Sequence, residues 1–176
     1  MERTDVAIVG GGLAACAAAV EAAKYGLRVT LLDKGRLGRS GSSCTAGGGF
    51  SFARPCGRDG SLDAAKAQHV AATLAAGEGM NDPRLVEVLA NEAAWRVPEL
   101  ERLGLRFKRD ERGCILATLA PGHEEPLTSS PEGGGPVLMD VFRREVLHRR
   151  VRVLEKVMVA RLFAVGGRVA GLYALP

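Results

Sequence analysis

Six residues near the start of the chain, Gly10-Gly11-Gly12-Leu13-Ala14-Ala15, fit the pattern G-x-G-x-x-G/A, and Asp33 stands 18 residues beyond Ala15. These types at this spacing suit the cradling of a pyrophosphate by main chain. Gly10 permits a tight turn, Gly12 lets backbone approach phosphate oxygens, and a small Ala15 lets a helix pack near a sheet. The free N–H groups and positive dipole end of that helix face the phosphates. Asp33 offers a carboxylate to ribose hydroxyls. The plainer alternative is a glycine turn in some other α/β sheet, with Asp33 a strand-end surface acid.

The elements that must hold these residues are legible around them. Val6 to Val9 is an apolar run of the kind found in parallel strands buried on both faces. Leu13 to Lys24 is Ala-rich helix former, ended by Gly26. Leu27 to Leu32 reads as a second buried strand that delivers Asp33. A helix between two such strands is a βαβ unit with a right-handed crossover. With turn, helix and acid all in register, the pattern predicts a dinucleotide site.

Asp33 to Gly60 is rich in Gly, Ser, Arg and Pro and has no sustained period. A loop of that length in a compact domain is usually functional or disordered. Its small residues, Gly38-Arg39-Ser40-Gly41-Ser42-Ser43 and Cys44-Thr45-Ala46-Gly47-Gly48-Gly49, can bring amides and hydroxyls against a long ligand. Lys34, Arg36 and Arg39 add positive charge near the phosphates. This continuation favours FAD over NAD, with an NAD-binding Rossmann domain as one alternative and a solvated Gly/Ser linker as the bland reading of the loop.

Further along, Leu62 to Ala76 and Pro83 to Leu103 read as helices, with Asp82-Pro83 as cap and first helical residue. Leu105-Arg106-Phe107 and Cys114-Ile115-Leu116 suggest a small hairpin. Ala120 to Pro136 reads as loop and Pro136 to His148 as helix. Val151 to Leu154, Val157 to Ala164 and Arg168 to Ala174 read as strands, the last two joined at Gly166-Gly167, whose residues can both take positive φ. No repeat and no domain boundary is visible. The expectation is one α/β domain over residues 1–176, a parallel sheet with helices plus a C-terminal β-hairpin.

Bulk properties exclude several functions. A chain of 176 residues with 47% hydrophobic and 25% charged residues has an ordinary globular composition. The net charge of +4 comes from 24 basic and 20 acidic residues without a long basic block, and 5% aromatic content is poor material for base stacking. Nucleic acid is therefore not an expected partner. Cys16, Cys44, Cys56 and Cys114 form no C-x-x-C pair and have no histidine at zinc spacing, which argues against a disulfide framework or a metal and suits a reducing cytoplasm. No apolar run approaches a membrane span and no signal peptide precedes the first strand. His123 beside Glu124 and Glu125 lacks a second ligand at helical spacing, and His69, His148 and Cys44 read as structural. There is no G-x-S-x-G elbow and no G-x-x-x-x-G-K-[ST] loop.

The segment DVAIVGGGLAACAAAVEAAKYGLRVTLLDK followed by GRSGSSCTAGGG resembles the start of the FAD-dependent fumarate reductase, succinate dehydrogenase and L-aspartate oxidase flavoprotein family. More loosely, the helical segment with His69, Thr73, Gly77 and Asp82 resembles the family's next section. The stretch from Gly133 to Leu175 resembles the helix, strand and hairpin that close its first flavin-binding section. The resemblance implies a Rossmann-like FAD-binding domain, incomplete relative to the family because no capping domain and no returning flavin segment follow. It implies the adenosine end on Gly10–Ala15 and Asp33, and Lys34 and Ser42 to Gly49 along the pyrophosphate and isoalloxazine. Backbone near Val157 would meet the adenine. Covalent members carry a histidine after an Arg-Ser pair; here Arg39-Ser40 is followed by Gly41, so FAD is expected to be non-covalent. Leu127 stands where the family has an arginine, and no catalytic residue is assigned. Hydride transfer to or from a dicarboxylate would need completion by a partner chain or further residues. A partner or a second copy is expected to cover an exposed sheet face. A truncated binding module without catalysis is the other alternative.

Overall fold

The computed structural model describes residues 3–54, 56, 61–119 and 126–176. In chain order the elements are strand β1 (Val6–Val9), helix α1 (Leu13–Lys24), β2 (Val29–Asp33), a 3-10 turn (Ser42–Cys44), β3 (Phe50–Ser51), α2 (Leu62–Ala76), α3 (Pro83–Arg102), β4 (Thr128–Ser129), α4 (Gly134–His148), β5 (Arg152–Glu155), β6 (Met158–Val165) and β7 (Arg168–Leu175). They gather into two compact units, one of Met1–Ala46 with Gly135–Pro176 and the other of Gly47–Gly134.

The first unit is built on a parallel sheet of order β1-β2-β5. Val6 pairs with Val29 and Val9 with Leu32, while Thr30 pairs with Arg152 and Asp33 with Glu155. Parallel neighbours cannot be joined by a tight turn, so α1 crosses over between β1 and β2. The central strand β2 buries Val29, Leu31, Leu32 and Asp33, as a strand flanked on both sides should. The expectation that β1 is also buried on both faces is corrected. Its residues alternate, and Val9 is 55% exposed, because one face of β1 is left less covered than the other. Cys16, Ala19 and Val20 of α1 and Leu138, Met139, Val141, Phe142 and Val146 of α4 complete the core.

Asp5 ties the entrance of β1 to β2. Its carboxylate accepts from the Arg28 backbone N–H at 2.8 Å and from both the Nε (3.1 Å) and the Nη2 (2.7 Å) of the Arg28 guanidinium. These bonds, the side-chain ones foremost, lower the carboxyl pKa from 3.8 to about 2. The β6–β7 hairpin turns at Gly166 and Gly167, with φ of 58° and 77°, as the glycine pair implies. Phe163 and Tyr173 stack across it at 5.4 Å.

The second unit holds α2 and α3, which pack on one another, and a small antiparallel layer. Ser61 caps α2 by accepting the Ala64 N–H, and Asp82 caps α3 by accepting the Arg84 N–H, with Pro83 in the first turn. Phe50 pairs with Ser129 and Ser51 with Thr128, so two short strands lie inside segments that read as loop. The small hairpin is present around Asp110 to Gly113, with Arg109 opposite Ile115, and Phe107 bridges to Pro131. Phe50, Phe52 and Phe107 cluster with ring centroids 5.7 and 5.8 Å apart.

One sequence expectation is overturned in this unit. Cys56 and Cys114 form a disulfide with Cα atoms 6.0 Å apart, although 58 residues separate them. Linear spacing does not report a pair that the hairpin brings together, and the Cα separation is ordinary for a bridge. Among the described residues no group of three potential metal ligands gathers, and no helix is long and apolar enough to cross a membrane.

Thiol titration in denaturant without reductant should count two thiols, those of Cys16 and Cys44, rising to four with reductant. Cys114→Ser should cost on the order of 4 kcal/mol of that unit's unfolding free energy by the loop-entropy estimate, read from denaturation with and without reductant. The low Asp5 pKa stabilises the fold above about pH 4, and that stabilisation disappears as pH falls toward 2. Asp5→Asn should therefore lie below the parent in thermal midpoint at pH 7, with the gap closing by pH 2.

Candidate functional site

The site at the carboxyl end of β1 grows out of three glycines. Gly10 continues the sheet by donating its N–H to Leu32 O at 2.8 Å, then turns with φ of 106°. Gly12 caps α1 without any side-chain hydrogen bond, and the first intrahelical bond is Cys16 N–H to Gly12 O at 3.0 Å. The N–H groups of Ala14 and Ala15 precede that bond and point out of the helix start, where an anion is favoured. The Leu13 N–H donates to Ser43 Oγ at 3.3 Å, which seats a hydroxyl on the same helix end.

Asp33 is only 6% exposed, although it is an acid at a strand end. A Cβ on Gly11 would collide with its carboxylate, so the middle glycine is the one whose missing side chain makes room for the acid. The Asp33 carboxylate accepts from the Gly35 N–H at 3.1 Å and from Ser40 Oγ at 3.4 Å. Ser40 Oγ also accepts from the Arg36 N–H at 3.2 Å and lies 3.0 Å from Arg36 O, so its single hydrogen is shared between that carbonyl and Asp33, and the loop Gly35–Ser40 closes on itself. Beneath the turn, the buried Cys16 thiol lies 3.7 Å from Gly11 O. Burial first, and then the nearby Asp33 charge, push that thiol up to about 11.

The structure thus brings together Gly10–Ala15, Asp33, Ser40 and Ser43. Other expected members lie differently. Lys34 is exposed, and the Arg39 guanidinium pairs with Asp140 of α4 at 3.0 Å. Cys44 Sγ and Thr45 Oγ1 each lie 3.1 Å from a carbonyl of their own turn, those of Gly41 and Ser42. Ser42 and Ala46 are exposed in the same loop. The Val157 N–H donates to Asp33 O at 3.0 Å, leaving only its carbonyl side for a ligand. Gly47, Gly48 and Gly49 belong to the second unit, where a Cβ on Gly49 would collide with Thr128. His123, Glu124 and Glu125 lie outside the described residues, and Leu127 is buried.

Three residues of the site escaped the sequence reading. Gly35 leaves the space that Ser40 fills, and Glu155 accepts the Leu37 N–H at 3.0 Å. Gly135 donates to Ala46 O at 2.9 Å, and a Cβ there would run into the carbonyls of Ser43 and Ala46. The glycine run at the start of α4 was the available signal for the last.

A strand, a glycine turn, an open helix start and a buried acid on the next strand define a dinucleotide-binding βαβ protein. The chain belongs to the FAD binding domain family, whose model matches residues 5–176. This decides for FAD over the NAD alternative. Similar sequences include one chain of the CoM/CoB fumarate reductase of Methanothermobacter marburgensis, 32% identical, covering 95% of this chain and 30% of that protein. L-Aspartate oxidase of Agrobacterium fabrum is 36% identical, covering 97% and 32%. Among solved structures, Mycobacterium smegmatis Sdh1 in complex with UQ1 superposes with a TM-score of 0.86 at 26% identity, covering 97% of this chain and 30% of that one. Escherichia coli quinol fumarate reductase, at 21% identity and a TM-score of 0.82, shares the fold. The chain spans about a third of the length of the curated relatives it matches.

Gly11→Ala should displace the Asp33 carboxylate and weaken FAD binding at least about tenfold, one hydrogen bond to a charged group being worth roughly 1.5–3 kcal/mol. Flavin fluorescence titration measures it. In the native protein at pH 8, Cys16 should resist a thiol reagent while Cys44, which is partly exposed, reacts.

Proposed function

We propose that this chain is the flavin-binding section of an FAD-dependent oxidoreductase that exchanges hydride with a dicarboxylate-like acid. The observation that carries the reading is the buried Asp33 carboxylate beneath the side-chain-free Gly11, one turn from the open start of α1. In this reading Asp33 accepts from ribose hydroxyls, and the amides of Gly11, Gly12, Ala14 and Ala15 hold the pyrophosphate. Ser43 adds a hydroxyl at the helix start, with Ser42 and the backbone of Cys44 to Ala46 continuing along the ligand. Gly47 to Gly49 would approach the isoalloxazine, and the Val157 carbonyl the adenine. Ser40 keeps Asp33 in place, while Lys34 and Arg39 contribute longer-range positive charge.

FAD, when bound, supplies the hydride chemistry; protein supplies orientation and charge. Its attachment is proposed to be non-covalent, since Gly41 offers no nucleophile after Arg39-Ser40. The substrate class rests on relatives named for fumarate and aspartate, both dicarboxylates. No catalytic residue is assigned, and completion by a partner chain or by a further section is part of the proposal. The Methanothermobacter marburgensis relative is named as one subunit, which supports a multi-chain context; a cytoplasmic setting is also proposed, but the Cys56–Cys114 disulfide takes away the support that the scattered cysteines gave it.

The first test is to purify the chain and identify what acid precipitation and heat release. FAD in the supernatant at close to one per chain is expected. Flavin left on the precipitated protein would overturn the non-covalent proposal. Absence of both bound flavin and uptake of added FAD would overturn the functional reading. Asp33→Ala should weaken binding about 10- to 100-fold, in keeping with loss of hydrogen bonds to a charged group.

A further inference from the structure

The end of the parallel sheet opposite the glycine turn is lined with arginine. A groove of about 360 Å³ lies there among the entrances of β1, β2 and β5, walled by Arg3, Arg28, Arg149, Arg150 and Arg152. Among the described residues no acid lines it. Arg28 pairs with Asp5 at 2.7 Å and Arg149 with Glu145 at 3.4 Å. A basic residue here can also be explained by the negative end of a helix, since α1 and α4 both finish beside the groove.

The end of α4 favours a cation at Arg150 too, but it does not account for that residue's backbone. Arg150 stands just after α4 with φ of 56°. Its N–H donates to Leu147 O at 3.0 Å, and the next N–H, of Val151, donates to Val146 O at 3.2 Å. That pair of bonds is the helix stop in which glycine normally occupies the left-handed position. Glycine takes this backbone freely, whereas an L side chain is strained in it. Of the described non-glycine residues with positive φ, Glu78, Arg150 and Lys156, only Arg150 stands on the rim of the cationic groove, exposed, which points to a role for its side chain.

We propose that this groove docks an acidic segment of a partner protein, a peptide stretch carrying several Asp or Glu residues. Guanidinium groups meet carboxylates in paired, charge-assisted hydrogen bonds. The groove floor carries Ala23, Leu27, Val29 and Val151, apolar surface for the aliphatic stems of such a peptide. No aromatic ring lines the groove, so bases have nothing to stack on, and a nucleic acid fits it less well. The site lies at the other end of the strands from Gly10 and Asp33 and does not depend on the flavin reading.

The experiment measures binding of a fluorescein-labelled peptide containing a run of glutamates, by anisotropy, to the parent chain, Arg150→Gly and Arg168→Gln. Arg150→Gly removes the charge while giving the helix stop its preferred residue, so its thermal midpoint should equal or exceed the parent's. It should nevertheless bind the peptide about tenfold more weakly, the loss of roughly one charged hydrogen-bond pair. Adding Arg3→Ser should abolish the remainder, and raising salt from about 0.01 M to about 0.3 M should weaken the parent's binding. Arg168→Gln, on the exposed hairpin, should bind as the parent does. The proposal falls if the parent does not bind, if Arg150→Gly binds like the parent, or if Arg168→Gln loses as much. It also falls if a single-stranded oligonucleotide of equal charge displaces the peptide at a lower concentration than unlabelled peptide, which would mark a nucleic-acid surface.

Discussion

The carboxylate of Asp33 can sit inside the protein because Gly11 has no side chain. Burying an acid is costly unless its oxygens find donors, and here they find the Gly35 amide and the Ser40 hydroxyl. Those donors exist only because the loop after β2 folds back at once. Gly35 must be small to admit Ser40, and Ser40 must reach both the acid and the Arg36 backbone. One absent Cβ therefore sets the conformation of the turn, of the acid and of the loop that follows.

The same economy of space recurs on the other side of the helix start. Ser43 reaches the Leu13 amide because its own short turn is closed by Thr45 and Cys44 hydrogen bonds to carbonyls within it. Gly135 then packs its bare Cα against the carbonyls of Ser43 and Ala46, so the beginning of α4 braces that turn. Polar groups at the ends of parallel strands would otherwise be stranded between sheet and solvent. Here most are satisfied by local partners, and the open amides of α1 are the exception that a bound anion would answer.

Much of this was legible in the chain. The βαβ unit could be read because a four-residue apolar run, an alanine-rich helix and a second apolar run have unmistakable periods. Helices α1 and α2 begin and end where their glycines and Ser61 place them, and α3 starts at its Asp82-Pro83 cap. The hairpin turn followed from two adjacent glycines. The family was visible in the fingerprint and the small-residue loop, and the match over residues 5–176 bears it out. What could not be read depends on distance in space. The edge position of β1 depends on which strand becomes its neighbour. The disulfide joins residues 58 apart, and Arg39 finds Asp140 a hundred residues downstream.

The sequence by itself determined which backbone could turn, where the helices started, and that an acid would stand at the end of β2. Those are local matters of steric freedom, capping and hydrophobic period, each settled within a few residues. Tertiary structure alone decided that Gly11 rather than Gly12 is the glycine pressed against the acid, and that Gly135 completes the loop. It also gathered five arginines from three separate stretches at the far end of the sheet. Packing brings such groups together across long chain separations, and no periodicity along the chain encodes which atoms will share a volume.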